Sequence, residues 1–530
     1  MKKLLSVLLA VLMLIPIIVS CGGNDETTTT EIPTTEAPTT EAPTTEVPTT
    51  EAPTTETPTT EAPTTEAPTT EAPTTEAPTT IDPNTPWSSK TDIRDTWKGK
   101  TLNVACSTWY STGAPWAMPE VFITEKDDAY FGKKIQTAVL DRNEFIEKTY
   151  GVKVKWLNIT KAGMPYELEK ATLAKNVNYD LAAPRMMNVQ PIVAGGYVYD
   201  LADREFIDLR NTYYNENFVK SLTAYGHTFF VTGGFSNVDI ETAEVLYFNK
   251  NVLGDGSEKA SEELYQLVRD GKWTYDKLVA YAEAACKDNG NGKKDEEDIF
   301  GASLYSYEYD RFINTFGVTQ ASVNEATGEW EITLNDDRID DIITLILDIQ
   351  NADWRQPFFG WGHVDADFID GKYIFADYTL LESYVGTLSD NIGLVPFPML
   401  NEDQGRYYVP YSTQMSVAMC IPKITQDREM SEYFMDVLCW TGEEYIMKAY
   451  IENKKEHFKS DAEMEMITDY IIPNLYYDAG LSFGWDRLFD ISGMYANGQN
   501  NFDEFWKEYS PDALKTIAEW NAAWGGYTEE

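Results

Sequence analysis

The run Lys287–Gly301, KDNGNGKKDEEDIFG, gathers the oxygen donors that a hard divalent cation takes. A twelve-residue calcium loop needs side-chain oxygen at positions 1, 3, 5, 9 and 12, a backbone carbonyl at 7 and glycine at 6. Ending such a loop at Asp298 puts Asn289, Asn291, Gly292, Lys293 and Asp295 at positions 3, 5, 6, 7 and 9. Position 1 then falls on Lys287, a cation where the first carboxylate belongs. Asp288 fills it only if the loop is one residue shorter. The run is therefore a candidate for a structural calcium ion held by Asp288, Asn289, Asn291, Lys293, Asp295 and Asp298. The competing reading is a polar turn between a helix and a strand. No other cofactor is expected.

Aromatic rings supply the second chemistry: 14 Trp, 32 Tyr and 23 Phe. Rings stack on the flat C–H faces of sugars, while amides and carboxylates bond the hydroxyls. TWYSTGAPW follows an apolar run and carries Trp109, Tyr110 and Trp116 among Ser, Thr, Gly and Pro. A core aromatic normally sits inside the periodic segment, so these three are candidate ligand contacts, with loop packing as the alternative. LYSYEYDR sets Tyr305, Tyr307 and Tyr309 on one face of an apparent strand. That pattern fits a ligand platform and equally a half-buried strand stacking its rings on a core. Trp354, Arg355, Trp361 and Asp365 lie in a glycine-containing, poorly periodic stretch. Trp520 and Trp524, four residues apart on a helical pattern, read as core. GxSxG, HExxH and GxxxxGKS/T are all missing. None of the three histidines (His227, His363, His457) has metal-ligand or triad spacing, and carboxylate pairs mean little among so many acids. An enzyme is not expected.

Such side chains need elements to hold them, and not all 530 residues can fold. The start, MKKLLSVLLAVLMLIPIIVSC, has a signal-peptide layout, and Ile18-Val19-Ser20-Cys21 resembles the bacterial lipobox. That resemblance implies a lipidated Cys21 as the first mature residue, held on a membrane if it carries more than one acyl chain. Ten five-residue units, EIPTT and then mostly EAPTT, run from Glu31 to Thr80. They lack the apolar surface to offset the entropy of ordering, while proline and glutamate extend them. At ~3.1 Å per residue this stalk would span roughly 150 Å. Of 86 acidic and 42 basic residues, the first 80 positions hold twelve and two, leaving 74 against 40 in the remainder. That balance argues against nucleic acid as a partner. Cys106, Cys286, Cys420 and Cys439 are scattered without CxxC spacing and read as free thiols.

From about Trp97 the texture becomes globular. KTLNVACSTW reads as a buried strand, KKIQTAVLDRNEFIEKTYG as an amphipathic helix closed by Gly151, and VKVKWLNIT as an alternating strand. This β-α-β opening predicts a parallel sheet. YDLAAPRM reads as a short strand, WTYDKLVAYAEAACKD as a helix capped by Thr274, and SPDALKTIAEWNAAW as one capped by Ser510. About 430 residues without a second linker exceed one core and predict two connected lobes.

The order and content of these blocks resemble the bacterial extracellular solute-binding proteins of family 1, the carbohydrate-type receptors of ABC importers. The resemblance covers about Leu102 to Trp524 and rests on NEFIEKTYGVKVKW, YDLAAPRMMNVQPIVAGGYVYDLAD and HTFFVTGGFSNVDIETAEVLYFNKNVL. Two further blocks carry it: DGKWTYDKLVAYAEAACKDNGNGKKDEEDIFG and NIGLVPFPMLNEDQGRYYVPYSTQMSVAMCIPK. An insertion after the first strand and the region 451–510 depart from the pattern, which leaves the ligand open.

The resemblance implies an α/β, two-lobed periplasmic-binding-protein-like fold of the class II type, with an interlobe cleft and hinge behind a disordered stalk. The expected organisation is a signal peptide at 1–20 and the stalk at 21–90. The N-terminal lobe takes 91–247 plus 395–450, and the C-terminal lobe 248–394 plus 451–530. Chain crossings are expected near Leu246–Asn249, near Gly393–Pro396 and near residues 450–460. Asn188, Asp377 and Tyr378 join the candidate ligand contacts, because matching segments of such proteins border the cleft, with Met187 and Trp485 as weaker ones. The implied job is to bind a sugar or oligosaccharide outside the cell and deliver it to ABC permease subunits. The chain would act as a monomer anchored to the outer face of the cell membrane through Cys21. A receptor for a peptide or polyamine, or a surface adhesion or sensor module, is the alternative.

Overall fold

The protein was analysed as a computed structural model that describes residues 94–108, 133–160, 163–176, 179–304, 312–356, 366–381, 388–413, 415–483, 488–496 and 498–529. Strand β1 (Thr101–Thr108) buries Leu102 and the run Val104–Ser107, as a strand covered on both faces must. The helix Lys133–Tyr150 lays Ile135, Val139, Ile146 and Tyr150 inward at helical spacing. It ends at Gly151, whose φ of +67° suits the left-handed exit and whose N–H returns to Glu147 O at 2.9 Å. The chain then forms β2 (Lys153–Thr160), parallel to β1 from Thr101↔Lys153 to Thr108↔Thr160. β3 (Leu181–Ala183) pairs in parallel on the other side, giving the order β2-β1-β3.

The sheet then gains antiparallel partners from far along the chain. Ala182 bridges Cys420, Arg185 bridges Val417, and Met419 in turn bridges Val231.

A second, four-stranded sheet has the order β5-β8-β4-β9. Its interior strand β4 (Glu244–Asn249) is buried at all six residues. It runs antiparallel to β8 (Tyr373–Thr379) and β9 (Ile392–Val395), while β5 (Phe300–Ser303) lies parallel to β8. The hairpin of β6 (Ala321–Val323) and β7 (Trp330–Ile332) packs under the C-terminal helix Phe502–Gly525. There Asn521 brackets the Trp330 backbone, and Trp330 meets Trp520 and Trp524 edge-on at 5.8 and 5.5 Å.

Between the sheets the chain crosses just before β4 and well after β9. Glu244 N–H donates to Pro410 O at 2.8 Å and Ser412 N–H to Thr242 O at 3.0 Å, so Thr242–Glu244 and Pro410–Ser412 run antiparallel. Asn474–Tyr476 lies beside Val409, bonded to it through both of its backbone groups. Leu246–Asn249 and Ile392–Val395, beside the expected crossings, are paired as β4 and β9 in the second sheet. A continuous helical run, Arg428–Gly442, a π-helical turn Glu443–Met447 and Lys448–His457, leads from beneath the first sheet to the end of β8.

The C-terminal helix also departs from expectation. It begins at Phe502 with Asn501 accepting from Glu504 N–H, and Pro511 lies inside it. Burial of Phe502 and Phe505 carries the helix through a proline that costs it a backbone bond. Among the described residues, no helix is long and apolar enough to cross a membrane.

Candidate ligand-binding site

The carboxyl edge of an open α/β sheet leaves backbone and loop groups free for ligands. Here that edge holds Ser107 near the end of β1 and the turn Pro184–Asn188 after β3. Ser107 is fully buried and Asn188 is 2% exposed, yet Ser107 Oγ and Asn188 Oδ1 find no partner among the described residues. Arg185 in the same turn is buried, which pushes its guanidinium down to about 10. Met186 N–H donates to Ser416 O at 3.1 Å, and the Ser416 hydroxyl meets that of Thr242 at 2.7 Å. The end of β3 is thus joined directly to the crossing segments.

The first crossing carries the densest polar set. Asn237 opens the short helix Val238–Glu241 and is fully buried, and neither its Oδ1 nor its Nδ2 has a partner among the described residues. Asp239 accepts from Ile240 N–H at 3.0 Å and from the Tyr477 hydroxyl at 3.2 Å. Burial, opposed by those bonds, pushes its carboxyl up to about 6. Tyr477 also accepts from Asn215 Nδ2 at 2.8 Å and packs on Tyr411, ring centres 4.6 Å apart. Glu241 pairs at 2.9 Å with Lys454, itself fully buried and donating to Leu380 O at 2.6 Å. Asp478 accepts four N–H bonds, from Asn314 Nδ2 and from the backbone of Gln320, Ala321 and Gly480, while burial raises it to about 6.

Glu443 is open to solvent, yet surrounding protein raises its carboxyl, with Glu444 and Asp239 adding repulsion. From the second sheet, β8 ends here: Leu380 N–H donates to Ala243 O at 3.2 Å, and buried Thr379 Oγ1 has no partner among the described residues. The segment Ala479–Ser482 packs against the turn Met186–Asn188.

Of the residues expected from sequence, Asn188 lies at this junction, and Asp377 and Tyr378 lie half-exposed near the end of β8. Trp354 does not: it is 5% exposed in the apolar core, its carbonyl accepting from Gly301 N–H at 2.7 Å. Trp109, Tyr110, Trp116, Tyr305, Tyr307, Trp361 and Cys21 lie outside the described residues. Asn237, Asp239, Lys454 and Asp478 were not foreseen. The Ser236-Asn237 pair before a short apolar segment is a helix-start signal, but nothing in one chain marks a distant carboxylate as its neighbour.

The Lys287–Gly301 run folds as a self-satisfied turn. Asp288 Oδ1 accepts from Gly290 and Gly292 N–H, holding its carboxyl below the usual range. Asn289 accepts from Asn291 N–H, Asn291 from Lys293 N–H, and Asp298 from the N–H groups of Asn289 and Asp295. Asp295 takes the Asn291 carboxamide at 2.7 Å. Lys287 stands where the first carboxylate of a calcium loop belongs, and these oxygens also accept from the loop's own amides. Among the described residues no group of three or more His, Cys, Asp or Glu is arranged to hold a metal ion.

No protein-family model matches the chain, and no curated protein matches it in sequence. Solved structures do resemble it. A cyclo/maltodextrin-binding protein complexed with maltotetraose is 14% identical, covers 80% of this chain and 98% of its own, and superposes with a TM-score of 0.50. The cyclic alpha-maltosyl-1,6-maltose binding protein from Arthrobacter globiformis is 13% identical over 81% and 98%, TM-score 0.48. An extracellular solute-binding protein from Staphylococcus aureus in complex with maltose is 12% identical over 79% and 98%, TM-score 0.48. At such identities the first of these likenesses shows the fold: the chain has the two-lobed architecture of periplasmic solute-binding proteins, as its sequence pattern implies.

Proposed function

We propose that the chain is a carbohydrate-type ABC solute-binding lipoprotein. It would bind a sugar or oligosaccharide in the cleft between its sheets and present it to permease subunits at the outer face of the cell membrane, tethered through Cys21. The observation that carries the reading is the junction itself. Crossing segments run side by side between two sheets, and uncharged polar groups at and beside the adjoining strand ends have no partner among the described residues. Such a joint lets two bodies close on a ligand, and closure gives a permease a shape to recognise. The reading treats Asn188, Asp377 and Tyr378 as cleft residues and adds the aromatic segments around Trp109 and Tyr305. Binding and closure suffice for this role, with no bond made or broken.

Isothermal titration of the purified protein with maltose, maltotriose, maltotetraose and a broader oligosaccharide panel tests it. Saturable binding that leaves the sugar intact is the expected result. No heat with any member overturns the sugar reading, and hydrolysis of the sugar overturns the receptor reading.

A further inference from the structure

Burying an amide or hydroxyl without a partner costs about 1–3 kcal/mol. Ser107, Asn188 and Asn237 bear that cost together, at 0%, 2% and 0% exposure. Short links join them. Cys106 pairs with Ala183 in the β1–β3 register, which sets Ser107 beside the turn ending at Asn188. Met186 in that turn bonds Ser416, Ser416 bonds Thr242, and Thr242 N–H donates at 3.0 Å to Val238 O, next to Asn237. An asparagine opening a helix ordinarily accepts from the helix's own amides. Asn237 makes no such bond.

The acids nearby stand in contrast. Asp239 has its tyrosine and peptide donors, Glu241 has Lys454, and Asp478 has four N–H groups. These three acids are paired within the fold, while Ser107 Oγ, Asn188 Oδ1 and the Asn237 carboxamide have no partner among the described residues.

We propose that Asn237, with Ser107 and Asn188, is the polar anchor of the cleft and selects an uncharged, hydroxyl-bearing ligand. Asn237 accepts from one hydroxyl through Oδ1 and donates to a neighbour through Nδ2, while Asn188 and Ser107 take further hydroxyls. The proposal rests on the receptor reading and narrows it, since the groups of Ser107, Asn188 and Asn237 that have no partner among the described residues carry no charge to attract an ionic solute.

The test compares the full protein with Asn237→Leu and Ser107→Ala, by thermal unfolding without ligand and by titration with maltotetraose and with spermidine. Wild type is expected to bind maltotetraose and not spermidine. Asn237→Leu is expected to unfold at an unchanged or higher temperature, because no protein bond is lost, and to bind maltotetraose at least about tenfold more weakly. Ser107→Ala should weaken binding severalfold with no change in unfolding. Unchanged affinity in Asn237→Leu overturns the anchor, because a buried water could equally serve these groups. If Asn237→Leu unfolds early, Ser107→Ala decides, and unchanged affinity there overturns it too. Saturable spermidine binding by wild type overturns the neutral-ligand selectivity alone. Wild type binding neither spermidine nor any member of the oligosaccharide panel overturns the sugar reading and the anchor with it.

Discussion

Asp239 accepts from a peptide N–H and a tyrosine hydroxyl, neutral donors that steady a carboxylate less than a cation would. Burial therefore wins, and the group titrates near 6 when folded against an ordinary 3.8. The folded state holds the extra proton between those values, so its stabilising contribution is full below pH 3.8 and lost as pH rises through 6. Asp239→Asn keeps the shape and removes the titration. Between pH 4.5 and 7.5, urea unfolding of wild type should lose roughly 1–3 kcal/mol more than that of the variant. Equal losses would mean that the Asp239 carboxyl is not raised.

At the scale of elements, Lys454 fastens the helix Lys448–His457 both to Glu241 of the first crossing and to the end of β8. Lys454→Met leaves Glu241 buried opposite no charge and should cost about 3–5 kcal/mol in urea unfolding. Adding Glu241→Leu should restore much of it, since the pair's net worth is far smaller than the cost of breaking it. A second joint is backbone on backbone. A Cβ on Gly442 would stand 1.7 Å from Gly234 O, so Gly442→Ala should cost roughly 3 kcal/mol by the same measurement, while leaving the distant β6–β7 hairpin unaffected in hydrogen exchange.

The elements themselves were legible where periodicity was strong. β1, the Lys133–Tyr150 helix with its glycine exit, β2 and the Tyr275–Ala285 helix all stand where the sequence predicts them. Ser510 misled as a cap because Ser-Pro is an ordinary helix start, and the pull of buried Phe502 and Phe505 on the preceding turns is a tertiary effect. Of the residues proposed for the cleft, the sequence pointed to Asn188, Asp377 and Tyr378, which stand at or near strand ends.

Over the whole molecule, the repeat of Glu31–Thr80 and the body differ in kind. A chain beginning at residue 91 should keep the thermal midpoint and ligand affinity of the full protein, the latter within about twofold, because the repeat lacks apolar groups that could contribute to a core. A fall in midpoint on its removal would show that the repeat packs on the body.

What the sequence alone determined was what local order dictates: the five-residue repeat, the βα alternation, the parallel opening sheet, and a resemblance strung in order along the body. Tertiary structure decided what depends on residues hundreds of positions apart. Asp239 meets Tyr477, Glu241 meets Lys454, and the Met186–Asn188 turn meets Ser416 and Ala479–Ser482, across separations over which neither periodicity nor composition carries information. It also fixed the Lys287–Gly301 run as a turn bonded to its own amides, with side-chain oxygens accepting from nearby N–H groups.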